Sequence, residues 1–203
     1  MMLVFFSFSF LLVKSQVNPE FRQVKEKFQQ HRVLLDMEFS KRQNQLTDAH
    51  MAELLNSQRI SFFKKLDSVE NSAFVGTLVK VKNLEDLSKI SKQVNNDSQK
   101  VAYQKDAQAV YPGGIDAVRS FVSENIYTEN VNFEDNEKLT TKVQFVVERD
   151  GSISQVKADG SSPSFNRQGE IVLYLLPDKF SPAYINGFPV RSYYSIPITI
   201  AKN

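Results

Sequence analysis

"TKVQFVVERDGSISQV", residues Thr141–Val156, decides the fold class. Val143, Phe145 and Val147 alternate with Lys142, Gln144, Val146 and Glu148. A period of two gives a strand two unlike faces. Asp150-Gly151 interrupts the run and Ile153–Val156 resumes it, which predicts a β-hairpin. Upstream, Ile115, Val118, Phe121, Val122 and Ile126 recur at helical spacing and predict an amphipathic helix over Ile115–Glu124. Downstream, Phe165 and the run Ile171–Leu176 predict a second helix, ended by Pro177. Asn186-Gly187 marks another turn, and Pro189–Ile200 alternates again as a closing strand. The order helix, strand, strand, helix, strand describes an α+β unit with a small, largely antiparallel sheet and two helices on one face. Pro197 has no N–H to give a ladder, so its strand belongs at a sheet edge or carries a bulge.

A helical region precedes this unit. Asn18 to Lys100 contains no glycine until Gly76, and its one proline, Pro19, is tolerated in a first helical turn. Phe21, Val24 and Phe28 form one apolar stripe, continued after a phase slip by Leu34, Leu35 and Met37. Met51, Leu54, Leu55, Phe62, Phe63 and Leu66 form another, with Thr47-Asp48 as an N-cap between them. Two or three helices are predicted, the last over Leu84 to Gln93. Their apolar content is too low for a core of their own, so a helical hairpin or a helix that needs a partner is expected. The chain divides into a leader (1–16), a helical region (17–92), a polar linker (93–108) and the α+β unit (109–203).

Met2–Val13, MLVFFSFSFLLV, is an apolar run of 12 residues, against the roughly 20 that a spanning helix needs. It reads as a signal-peptide core, although Lys14 follows the run and no basic residue precedes it. An uncleaved anchor or a core element are the other readings. Across 203 residues the formal net charge is +2, so no basic surplus points to nucleic acid. The absence of cysteine excludes disulfides, zinc–cysteine sites and a thiol nucleophile.

Tyr111-Pro112-Gly113-Gly114 raises the question of a phosphate loop. Such a loop needs converging glycine amides and a lysine followed by Ser or Thr, and "YPGGIDAVRS" has no such lysine. The stretch reads instead as a turn into a helix, with Pro112 setting its own φ and the glycines allowing a sharp bend. His31 and His50, the only histidines, lie in separate helical stretches without a paired spacing. No Gly-x-Ser-x-Gly elbow or other catalytic constellation is present, so no enzyme, cofactor or metal is expected.

The ordered landmarks carry a resemblance. They are Tyr111-Pro112-Gly113-Gly114, the helix ending at Asn125–Tyr127, the Val143-x-Phe145-x-Val147 strand with its Asp150-Gly151 turn, and Pro177 with Phe180 three residues on. Pro182, Asn186-Gly187 with Pro189-Val190, and Ile196-Pro197-Ile198 complete the set. Over residues 107–202 the chain resembles the C-terminal domain of the TonB family, most of all the energy transducers of Bacteroidetes-type bacteria. It departs where the family has Tyr-Pro after the first helix (Tyr127-Thr128), a glycine before the hairpin (Leu139-Thr140-Thr141) and a tryptophan at Phe180. The short leader and the helical region stand where an energy transducer has a spanning helix and a Pro-rich arm. The resemblance therefore does not extend to the part that engages the ExbB–ExbD proton channel.

What the resemblance implies is binding by strand addition. The partner would be the extended TonB-box peptide of an outer-membrane transport receptor, captured in the periplasm during energy-coupled transport. The expected site is the last strand, Val190, Arg191, Ser192, Tyr193, Tyr194, Ser195 and Ile196, with pairing limited by Pro197. The alternative is a periplasmic assembly protein whose TonB-like domain and helical region bind other envelope proteins or a second copy of the chain.

Overall fold

The structure, a computed structural model, describes residues 17–92, 107–129, 131 and 138–201. The leader and all but the last residues of the expected linker lie outside the described residues. Two long helices come first. In α1 (Pro19–Gln43) the Asn18 Oδ1 accepts the Glu20 amide at 3.0 Å and proline fills the first turn. In α2 (Ala49–Lys92) the Asp48 Oδ1 accepts the amides of His50 and Met51 at 2.8 and 3.4 Å, so Asp48 is the predicted cap.

Helix α2 runs unbroken for 44 residues through Gly76, and Leu84–Lys92 is its end rather than a third helix. A helical glycine costs about 1 kcal/mol relative to alanine. Docking beside it outweighs that cost, because Phe74, Leu78 and Val81 are all buried. The two helices form a hairpin whose contact row includes Phe28 and Phe39 of α1. Leu34 and Met37, expected on the apolar stripe, are 63% exposed, since the phase slip turns them off that row.

The predicted α+β order follows: α3 (Gly114–Asn125), β1 (Lys138–Val147), β2 (Ile153–Gly160), α4 (Pro163–Tyr174), β3 (Ala183–Ile185), β4 (Phe188–Val190) and β5 (Ser192–Ala201). Strands β2, β1 and β5 form one antiparallel sheet in that order, and β3–β4 is a separate hairpin closed by Asn186 and Gly187, both at positive φ. Helix α4 lies against β1 and β2, and α3 packs against α4. In β1 the residues Leu139, Thr141, Val143, Phe145 and Val147 face the core as the alternation predicts, and Val146 on the opposite face is buried as well.

The closing run is not one strand. Val190 belongs to β4, where it pairs with Ala183, and Arg191 stands between the strands in a two-point ion pair with Glu148, both contacts at 2.9 Å. The strand placed at the edge therefore begins at Ser192. Pro197 sits on that edge without a bulge, opposite Lys142 in a continuous register from Ser192 to Ala201.

Two glycine turns tie the unit together. Gly113 and Gly114 both have φ near +75°, and the Gly114 amide closes a turn on the Tyr111 carbonyl at 2.8 Å. Tyr111 is buried against Phe180, with ring centres 5.0 Å apart. Gly151 has φ +80°, and a β-carbon there would lie 1.9 Å from the Phe180 carbonyl oxygen. The close approach lets the Phe180 amide bond the Gly151 carbonyl at 3.0 Å, so the hairpin tip is held on the segment after α4.

The helical hairpin shares the core of the α+β unit. Phe21 of α1 is fully buried between Phe74 of α2 and Tyr174 of α4, stacked at 5.8 and 5.4 Å. The partner that the thin apolar stripes required is thus the back of α4 and the outer side of β2.

Candidate functional site

A three-stranded sheet has two edges, and here they differ. Backbone groups alternate sides along a strand. In β2 the outward amides of Gln155, Val156 and Ala158 find side-chain acceptors. The Ala158 amide bonds Glu170 Oε1 at 2.9 Å and the Val156 amide bonds the Tyr174 hydroxyl at 3.3 Å. The Gln155 amide, at a bulge where φ is +54°, bonds Glu85 Oε2 of α2 at 3.0 Å. Tyr174 donates its hydroxyl to Glu85 Oε1 at 2.8 Å, and Lys82 of α2 donates to Glu170. Burial pushes the Glu85 carboxyl above its usual range despite these bonds. Burial, with the adjacent Glu85 charge, raises the Tyr174 hydroxyl too, so it remains a donor. From Gln155 to Ala158 this edge is closed by its own chain.

The β5 edge is open. Pro197 lacks an N–H and yet holds register with Lys142, so its backbone position faces away from β1. By alternation the amides of Tyr193, Ser195 and Thr199 also face outward, and no strand or bridge meets them among the described residues. Side chains alternate as well. Tyr194, Ile196 and Ile198 turn to the core, and the Tyr194 hydroxyl donates to the Ala109 carbonyl. Ring contacts of 5.7 and 5.6 Å to Phe145 and Phe180 fix Tyr194. Tyr193 is 82% exposed, and Ser195 lies on the same solvent face.

Of the residues expected to bind along the last strand, Ser192 to Ile196 are therefore on β5, and Val190 and Arg191 are not. The turn residues Tyr111 to Gly114, Asp150-Gly151 and Asn186-Gly187 build the frame behind the edge. Asp150 receives hydrogen bonds from Lys179 at 2.6 Å and from the Ser152 amide at 3.0 Å. Partial burial works against its charged form, but these bonds outweigh it and hold the carboxyl at about 2. The sealing of β2 was not visible in the sequence, because Glu85 and Glu170 are separated by a long stretch of chain and look like ordinary helix-surface carboxylates. Among the described residues no helix is long and apolar enough to cross a membrane, and no three His, Asp or Glu side chains cluster to hold a metal. No family model, curated protein or solved structure matches the chain.

Proposed function

We propose that the chain is a peptide-docking protein of the cell envelope, which takes an extended segment beside β5 as an additional strand. The observation that carries this reading is the contrast between the edges: β2 closed by Glu85, Tyr174 and Glu170, β5 open beside the exposed Tyr193. A sheet edge left unprotected where its counterpart is sealed offers main-chain donors and acceptors to a partner strand. The TonB-like order of sequence landmarks supports a receptor segment in the periplasm as the occupant. Tyr193 and Ser195 would meet the incoming side chains on the solvent face. Pro197 interrupts the donors and confines strong pairing to the Tyr193–Ser195 end.

The test exploits the alternation. Ser195→Pro removes an outward donor and leaves the pairing with β1 intact, as Pro197 already does. The full chain would be titrated with amino-terminal peptides of outer-membrane transport receptors while amide exchange is followed by NMR. Binding should slow exchange at Tyr193 and Ser195, and Ser195→Pro should weaken it roughly tenfold or more, the loss of about one backbone hydrogen bond. Equal binding by the variant sinks the reading. Concentration-dependent dimerisation lost in the same variant would instead assign the edge to a second copy, as the assembly role requires.

A further inference from the structure

A cleft of about 360 Å³ lies where the helical hairpin meets the α+β unit. Its volume is within the range of small-ligand sites, roughly 300–1,000 Å³. Phe74 of α2 and Ile171 and Leu175 of α4 line its apolar part. Two amide side chains, Asn71 of α2 and Gln168 of α4, also line it, and each is only 5% exposed.

These amides bond each other once, Gln168 Nε2 donating to Asn71 Oδ1 at 2.9 Å. An amide side chain carries two donors and a carbonyl acceptor. One bond therefore leaves the Asn71 amino group and the Gln168 carbonyl without a protein partner among the described residues. Reversing both amides leaves the same complement, one donor and one acceptor. Ser192 Oγ is the one described side-chain polar atom that is fully enclosed without a partner, so the spare amide groups are not sealed off, and both residues line the cleft. A nearly buried donor beside a nearly buried acceptor costs stability unless a ligand or water satisfies both.

The rim adds a sign. Asp67, Glu70 and Glu124 line the cleft against one cation, Arg32. Arg32 is already engaged by Asp67 and Glu70. Glu124 is exposed and sits in the last turn of α3, where the unpaired carbonyls of a helix end also favour a positive group.

We infer that this cleft binds the apolar amino terminus of a peptide. The peptide amide would pair with the spare groups of Asn71 and Gln168. The ammonium would face Glu124, and an aliphatic side chain would rest on Phe74, Ile171 and Leu175. The site is separate from the β5 edge and does not depend on strand addition there.

The probe is the dipeptide amide Leu-Leu-NH2, titrated into the full chain by calorimetry. Its size sets an expected Kd of roughly 0.2 mM from typical affinity per atom. Acetylating the amino group should weaken binding about fivefold or more, because the charge is gone. The free acid Leu-Leu should bind about tenfold more weakly, because its carboxylate meets an acidic rim. Asn71→Leu/Gln168→Leu replaces both amides with apolar groups of similar size, which keeps folding stability near that of the native chain. This double variant should lose about tenfold in affinity, and Glu124→Gln, an exposed change, about threefold. No heat up to about 10 mM Leu-Leu-NH2, fifty times the expected Kd, overturns the site. Equal binding of the acetylated peptide or the free acid overturns the assignment of an amino terminus. Should the double variant fail to fold, unchanged affinity in Glu124→Gln together with unchanged affinity of the acetylated peptide overturns it as well. Ser195→Pro should leave this binding as it is.

Discussion

Glu170→Ala tests how the closed edge is held. Glu170 is 5% exposed, its Oε1 accepts the outward Ala158 amide at 2.9 Å, and its Oε2 accepts Lys82. Truncation leaves the amide without a charged acceptor, a loss of about 1.5–3 kcal/mol. It also removes one buried methylene, about 0.8 kcal/mol by transfer. The Lys82 side chain is 40% exposed and can return to water, so the broken ion pair adds no more than about 1 kcal/mol. Because the β2 edge lies at the surface, water reaches the freed amide and the total falls near the lower end, about 2.5 kcal/mol. Glu170→Gln keeps an acceptor for Ala158 and the methylene, so its cost is about 1 kcal/mol. Urea unfolding of the full chain, followed by circular dichroism, resolves a difference of that size through the midpoint at constant slope. If the alanine and glutamine variants are equally stable, the Ala158 amide is not held by Glu170, and the contrast between the edges loses its energetic basis.

Gly151→Ala should cost more than about 2 kcal/mol, since a left-handed φ is added to a contact of 1.9 Å with the Phe180 carbonyl; thermal unfolding measures it. Phe21→Ala should cost about 3–5 kcal/mol and free α1, read as increased amide exchange over its first turns. For Asp150 the folded carboxyl stands at about 2, below its unfolded value. Its stabilisation is therefore present above about pH 4 and lost as pH falls toward 2, by only a small amount because the side chain is 61% exposed. Asp150→Asn should flatten the acid limb of stability over that window, and an unchanged limb would show that Lys179 and Ser152 do not hold the charge.

Much of the frame was legible because it rests on local rules. The period of two in Val143–Val147, the Asp150-Gly151 and Asn186-Gly187 turns and the cap at Asp48 depend on neighbours within a few residues. The division of Pro189–Ile200 into β4 and β5 was not legible. Alternation continues through Arg191, and only the pairing of Val190 with Ala183 and of Arg191 with Glu148 breaks the run. The continuity of α2 through Gly76 was hidden for a similar reason, since the contacts of Phe74, Leu78 and Val81 come from outside the helix.

The sequence by itself determined the α+β order and the turns, and limited the Pro197 strand to a sheet edge or a bulge. Each follows from backbone chemistry that a residue carries wherever it goes. Only the tertiary structure decided which edge is open and where the hairpin docks. Glu85 and Glu170 become edge caps, and Asn71 and Gln168 become a paired amide wall, only when α2 is laid along β2 and α4. Those roles belong to distances across the fold, and no pattern along the chain encodes them.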